Sequence, residues 1–206
     1  MNIVLAQGIL GFQTLLGVEY FNGVKSNIET KYPSVKVLET QVNPVEGVEV
    51  RGSQLGSQIL DSLGDTGKPP SLNPGDKTHI IAYSMGGLDA RYLLSPANPA
   101  NLAGRVTSLT TISAPHRGSP VADLLMREAN GEALTLLEKV ATLGLHKSMT
   151  LLGVPLEGLH DLTTQWTADF NQQYGDSPKV LYFSIAGTEG VVCRLRACLC
   201  LRRTYI

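Results

Sequence analysis

The sequence predicts an α/β fold in which helices cover both faces of a mostly parallel β-sheet. Short apolar runs rich in valine and isoleucine recur along the chain, and segments with helical periodicity separate them. This alternation is typical of β-α-β units, which build parallel sheets. A length of 206 residues, of which 43% are hydrophobic, suits one domain with a sizeable core.

Five strands are predicted from the apolar runs, at Ile3–Ala6, Val35–Leu38, Thr78–Tyr83, Val106–Ser113 and Val180–Ala186. The first run has no basic residue before it and is interrupted by Gln7 and Gly8, which indicates a buried strand and not a signal peptide. No run approaches the ~18 consecutive apolar residues that a membrane span needs. We therefore expect a soluble, cytoplasmic protein.

Two sheet-covering helices are predicted between the first three strands. The first rests on the helical spacing of Phe21, Val24 and Ile28. The second rests on Leu55, Ile59 and Leu63, and Gly64 suits its C-terminal cap.

Residues 119–160 depart from the alternation of strands and helices. Ser119–Pro120 predicts the start of a helix. Leucines then follow with no strand between them, at Leu124, Leu125, Leu134, Leu137, Leu143, Leu151 and Leu152. We predict a helical insertion here, which periodicity alone allows to be either a lid or a pair of packing helices. A short helix with Leu162, Trp166 and Phe170 on one face should follow it.

Ser84 lies in the most informative pattern of the chain. The apolar strand ending at Tyr83 runs into a small-x-Ser-x-Gly turn, and a helical segment follows. Such a tight turn needs small residues two before and two after the serine, and Ala82 and Gly86 meet that need. This is the pattern of a nucleophile elbow, which presents the serine Oγ beside a helix N-terminus. The alternative is a turn that only connects a strand and a helix.

Two backbone N–H groups are candidates for stabilising an oxyanion near Ser84. The Met85 N–H follows the nucleophile directly, which is the usual place of one donor. The glycine-containing loop Gln7–Phe12 follows the first strand and could direct a second N–H toward the serine. Taken alone, that loop could also be an ordinary turn.

Four segments together resemble bacterial-type triacylglycerol lipases of the α/β-hydrolase superfamily: Gln7–Phe12, Val50–Leu55, Ala82–Leu93 and Thr110–Ser119. Weaker similarity at 161–164 and 182–187 extends the resemblance to about residue 188. It implies an α/β-hydrolase fold with a lid-like insertion, and a serine ester hydrolase for acylglycerols or similar lipid esters. A membrane or lipid-droplet surface is compatible with such a substrate, and no cofactor is implied.

The resemblance assigns the second oxyanion N–H to Ile9. It also shows departures, because Gln7 stands where the family has histidine, and Ala82 and Tyr83 replace a glycine and a histidine. Since the oxyanion donors are backbone groups, the change at residue 7 need not remove the hole.

The catalytic acid and histidine are not found in this chain. The triad order in this fold is Ser, then Asp or Glu, then His, and the resemblance places the last two, with the family's calcium ligands, after the strand at Val180–Ala186. No histidine follows His160. We therefore assign no metal site, and expect a C-terminally truncated relative that lacks the last strand or strands and has weak activity or none.

The remaining polar candidates are given structural roles. They are His79, His116, His146, His160, Asp89, Arg91 and Asp123. His116 is predicted to be a hydrogen-bonded scaffold residue, and Asp89 and Arg91 to fix their helix to its neighbours. His160 and Asp161 are not expected to pair, because sequence neighbours on a helix do not face each other.

Residues 190–206 form a tail of different composition after the hydrolase-like domain of residues 1–189. The tail holds four arginines, no acidic residue and all three cysteines: Cys193, Cys198 and Cys200. Its cysteine spacing does not suit zinc. Two interpretations of the tail remain open. It is either the product of a shifted reading frame or retained intron, or a basic membrane anchor that is palmitoylated on cysteine.

A net charge of −1 gives no reason to expect a nucleic-acid partner, and the oligomeric state is not predicted. Two other functions remain open besides the ester hydrolase. One is a non-catalytic truncated lipase-like protein. The other is an acyl-thioesterase or deacylase on the same fold.

Overall fold

The computed structural model describes residues 1–9, 14–15, 18–19, 21–132 and 157–187. The elements are β1 Asn2–Ala6, β2 Thr14–Leu15, β3 Val18–Glu19, α1 Val24–Lys31, β4 Lys36–Glu39, α2 Val48–Leu63, β5 Thr78–Tyr83, α3 Gly86–Leu94, β6 Val106–Ile112, α4 Pro120–Ala129, α5 Glu157–His160, α6 Thr164–Gln173 and β7 Leu181–Ile185. The middle of the predicted insertion and the tail at 190–206 lie outside the described residues, so the division between domain and tail stays a prediction.

The five predicted strands are confirmed, and they form one sheet. Its order is β4-β1-β5-β6-β7, and every neighbouring pair is parallel. β6 ends one residue earlier than expected, because Ser113 takes a left-handed conformation with φ 51°. A two-residue antiparallel pair, β2 with β3, is also present. It was not predicted, since two residues are too few to show an alternating pattern.

The carboxyl ends of the central strands meet at one edge of the sheet. Ala6 of β1 is in register with Ala82 of β5, and Tyr83 is in register with Ile112 of β6. Ile112 is in turn in register with Ile185 of β7. The segments after β1, β5 and β6 therefore leave the sheet side by side, which is where parallel sheets place their sites.

Helices cover both faces of the sheet, as predicted. On one face, buried residues of β1 and β5 pack with Leu55, Ile59 and Leu63 of α2 and with α3. On the other face, Phe21 and Ile28 pack with β1 and β4. Gly64 takes φ 83° after α2, and its N–H bonds to carbonyls of the last turn, so the predicted cap is confirmed.

A further hydrophobic cluster lies at the carboxyl edge of the sheet. It joins residues of α4, α5 and α6 to the first turn of α3: Met85, Leu88, Ala122, Leu125, Leu159, Leu162, Phe170 and Tyr174, with Val48 from α2. Leu162 packs here as expected, but it precedes α6 instead of lying on it, because Thr163 is the N-cap. The described ends of the insertion therefore pack against the residues that follow Ser84.

No helix within the described ranges is long and apolar enough to span a membrane.

Candidate active site

Ser84 occupies a sharp turn between β5 and α3. Its φ is 52°, a left-handed value that costs a non-glycine residue roughly 1–2 kcal/mol. The turn is held by two backbone hydrogen bonds, from Ser84 N to Ile112 O at 3.0 Å and from Gly87 N to Ser84 O at 3.0 Å. The residue is half-buried, and Tyr83 beside it is 43% exposed. This is the geometry expected of a nucleophile elbow.

Gly86 shows why the turn requires a small residue. A Cβ at this position would lie 2.6 Å from the Gln7 carbonyl oxygen and 2.7 Å from that of Ala6. Both contacts are with rigid backbone, so no side chain could move aside. The requirement thus comes from the chain that leaves β1, because the start of the predicted oxyanion loop lies against the elbow.

The two predicted oxyanion donors lie close to one hydrophobic cluster. The Met85 side chain is fully buried in it, and Ile9, in the turn after β1, packs against the same cluster. The Met85 N–H, at the start of α3, donates no hydrogen bond to any described residue. The roles of Met85 and Ile9 as oxyanion donors both stay predictions.

Gln7, which replaces the family's histidine, is buried and held at two atoms. Its side-chain Nε2 donates to Val42 O at 3.3 Å. Its carbonyl oxygen accepts from Arg51 Nη2 at 2.9 Å. The glutamine side chain therefore connects the start of the predicted oxyanion loop to the segment after β4.

Arg51 and Asp89 form a buried ion pair behind this loop. The side chains are 0% and 2% exposed, and Arg51 Nη2 lies 2.8 Å from Asp89 Oδ2. Burial raises the pKa of the Asp89 carboxyl to about 6, and the opposing charge of Arg51 limits that rise. The prediction that Asp89 fixes its helix to a neighbour is confirmed. The sequence predicts no role for Arg51, because the segment Val50–Leu55 indicates only a resemblance to bacterial-type lipases.

Comparison with known proteins identifies relatives by sequence and by fold. No family model matches the chain. Triacylglycerol lipase 2 of Saccharomyces cerevisiae is 34% identical over 177 residues, which are 84% of this chain and 47% of that protein. A triacylglycerol lipase of Vibrio cholerae is 34% identical over 182 residues, covering 84% of this chain and 53% of that protein.

Solved lipase and esterase structures share the architecture. The mature Bacillus licheniformis lipase BlEst2 superposes with a TM-score of 0.60 at 21% identity, over 90% of this chain and 65% of that chain. EstA from Clostridium botulinum gives a TM-score of 0.60 at 19% identity, over 92% and 61%. The chain is similar in sequence to proteins named triacylglycerol lipase, and it has the α/β-hydrolase fold. It spans about half the length of the curated relatives it matches.

The histidines of this chain make structural contacts where they are described. His79 Nδ1 lies 2.8 Å from Ser108 Oγ, and burial lowers the pKa of His79. His116 Nε2 lies 3.0 Å from Thr111 Oγ1, and burial first, then the charge of Arg91, lowers the pKa of His116 to about 4. His146 lies outside the described residues.

One expectation about His160 is wrong. Its Nδ1 lies 3.3 Å from Asp161 Oδ1, although the two residues are sequence neighbours. The pair can form because Asp161 follows the end of α5 and is free of the helical geometry. The second oxygen of Asp161 accepts from Val48 N at 2.7 Å, so Asp161 joins α5 to the start of α2.

Two other polar residues of the chain also connect elements. Arg91 donates to Asp176 at 3.1 Å and to Asn171 at 2.7 Å, which confirms its predicted structural role. Asp123 accepts from the backbone and side chain of Thr164 at 2.8 and 3.0 Å, at the start of α6. Within the described ranges, no three potential metal ligands lie together. The expected absence of a metal and of a cofactor stays a prediction.

Proposed function

We propose that this chain carries the nucleophile and oxyanion hole of a serine hydrolase that acts on lipid esters. The observation that supports this most directly is the left-handed Ser84 between β5 and α3, against which the turn after β1 packs. Lipid esters are proposed as substrates because the chain is similar to proteins named triacylglycerol lipase.

In the proposed reaction, Ser84 Oγ forms a bond to the ester carbonyl carbon while its proton passes to a base. The N–H groups of Ile9 and Met85 stabilise the negative charge that develops on the carbonyl oxygen. The alcohol then leaves with a proton, and water releases the acid from the acylated serine. No described histidine is assigned as the base. Without one, an oxyanion hole and binding contacts retain only ~10³ to 10⁴ of rate over water.

Labelling with a fluorophosphonate tests the proposal, because the reagent reacts with an activated serine. Ser113 offers a matched control, since it is exposed and shares the left-handed φ at the end of the neighbouring strand. We expect wild type and S113A to be labelled at Ser84, slowly because no base is assigned, with the site located by mass spectrometry. S84A should remain unlabelled. A folded wild type that takes up no label would contradict the proposal in favour of a non-catalytic chain.

Substrate class is then decided by turnover of p-nitrophenyl esters of graded chain length against acyl thioesters. If the protein is a lipid ester hydrolase, wild type should turn over the esters faster than the thioesters. S84A should no longer show this preference. Faster turnover of the thioesters would instead favour a thioesterase on the same fold.

A further inference from the structure

The Arg51 guanidinium connects three separate segments from inside the core. Nε donates to Asp89 Oδ2 at 2.9 Å, Nη1 to Asn43 O at 2.7 Å and Nη2 to Gln7 O at 2.9 Å. Each of the three nitrogens therefore has an acceptor although the side chain is 0% exposed. A buried cation without such acceptors would be strongly destabilising.

Two of these segments contain the predicted oxyanion donors. Gln7 lies two residues before Ile9, and Asp89 lies four residues after Met85, one turn along α3. The five N–H groups of a guanidinium form a rigid planar fork. Because one guanidinium bonds to both segments, it fixes the position of the turn after β1 relative to α3.

We propose that Arg51 is a positioning residue that holds the turn after β1 in register with the first turn of α3, so that both oxyanion N–H groups face the same point. The inference rests on the proposed function for its chemical meaning. Asn43, the third contact, adds the segment after β4 to the same assembly.

The peptide after Gln7 shows how this positioning works. In a trans peptide the C=O and the following N–H point in opposite directions. Because Arg51 holds the Gln7 carbonyl, the orientation of the Gly8 N–H is set as well. The Gln7 side chain bonded to Val42 and the backbone of residues 6 and 7 packed on Gly86 restrict the same peptide from two other sides.

A hydrophobic pair of similar volume could supply as much stability as the Arg51–Asp89 ion pair. Replacing a buried pair by apolar residues of similar volume is often neutral or stabilising. Burial also raises the pKa of Asp89, although the Arg51 guanidinium lies beside the carboxylate. Orientation of the loop, and not stability, accounts better for a charged pair at this position.

The test compares wild type with R51M/D89M, which removes both charges together. We expect some loss of stability, because the Gln7 and Asn43 carbonyls lose their donor. Beyond the change that this loss of stability accounts for, we expect at least tenfold faster hydrogen exchange at the amides of residues 8 and 9, and at least tenfold slower fluorophosphonate labelling of Ser84. R51K keeps the charge but offers one ammonium for three acceptors, so it should show both effects to a smaller extent. If the double variant does not fold, R51K decides by the same measurements.

Arg105 provides the matched control. It also pairs with a carboxylate, Asp65 at 2.8 Å, but its side chain is 55% exposed. R105M should leave exchange at residues 8 and 9 and the labelling rate as in wild type. Unchanged exchange at these amides in folded R51M/D89M or R51K would overturn the proposal. If wild-type Ser84 is not labelled at all, the proposed function fails, while the exchange measurement still decides the role of Arg51.

Discussion

Left-handed backbone at Ser84 and Ser113 gives the sheet two unusual residues at the same edge. Each directly follows a member of the in-register pair Tyr83 and Ile112, and their φ values are 52° and 51°. Ser113 N donates to Ile185 O at 2.9 Å, much as Ser84 N donates to Ile112 O. The same kind of turn therefore ends two neighbouring strands, and only the first of them leads at once into a helix.

His116 gives a pH prediction at the scale of one residue. Its pKa is about 4 in the folded protein and near 6.5 ordinarily, so the unfolded chain binds a proton over a range where the folded protein does not. The stability from this residue is present above pH 6.5 and is lost as the pH falls toward 4. The raised pKa of Asp89 acts in the opposite sense, gaining stability as the pH falls from 6.

We expect H116Q to lose less unfolding free energy than wild type between pH 6.5 and 4.5, measured by urea denaturation. H160Q serves as the comparison, because it replaces a histidine whose side chain is 57% exposed. Parallel profiles for wild type and H116Q would show that burial of His116 does not govern its protonation.

Gly86, at the start of α3, lies against the backbone at the end of β1, and this contact can be tested by substitution. G86A adds a methyl group 2.6 to 2.7 Å from two backbone carbonyl oxygens. Overpacking of this kind costs about 1–3 kcal/mol. G104A is the comparison, because a Cβ at Gly104 meets nothing within 4 Å. Denaturation curves should separate the two variants, and equal stabilities would mean that the chain after β1 can withdraw from α3.

The elements show which boundaries a sequence can predict. Leu55, Ile59, Leu63 and Gly64 predicted the body and end of α2 because those signals are local. Its start was not predicted, since Gly47 provides no side-chain cap and the Val48 N–H is satisfied by Asp161, 113 positions away. The role of Arg51 was missed for the same reason, because its acceptors at Gln7 and Asp89 are 44 and 38 positions distant.

A second hydrophobic cluster, at the carboxyl edge of the sheet, joins the described ends of the insertion to the residues that follow Ser84. Phe170 of α6 is 3% exposed there, stacks on Trp166 at 5.1 Å and lies under the Arg91 guanidinium at 5.3 Å. Because Met85 is in the same cluster, a substitution that loosens the packing of α6 should also disturb Met85, the residue after Ser84.

F170A should therefore lower the free energy of unfolding by about 3–5 kcal/mol, the usual cost of removing a buried aromatic ring. It should also slow the labelling of Ser84 under conditions where the variant remains folded. Y32A removes an aromatic side chain at a residue that is 52% exposed and should change neither quantity appreciably. A full labelling rate in folded F170A would show that the cluster does not support the elbow.

At this scale the sequence predicted the sheet, the helices on both faces and the position of Ser84, because periodicity and the turn pattern are local. It left open whether the insertion is a lid or a packing pair. Its described ends, α4 and α5, contribute to the second cluster and thus have a packing role. That role depends on contacts between segments far apart in sequence, which periodicity does not encode.

The position of β1 has a consequence for synthesis on the ribosome. β1 is an inner strand of the sheet, and both of its partners, residues 36–39 and 78–83, follow it in the chain. Parallel pairing of this kind closes long loops and is intrinsically slow. β1, whose residues Asn2, Val4, Leu5 and Ala6 are buried in the folded protein, therefore stays unpaired on one side until β5 has been synthesised.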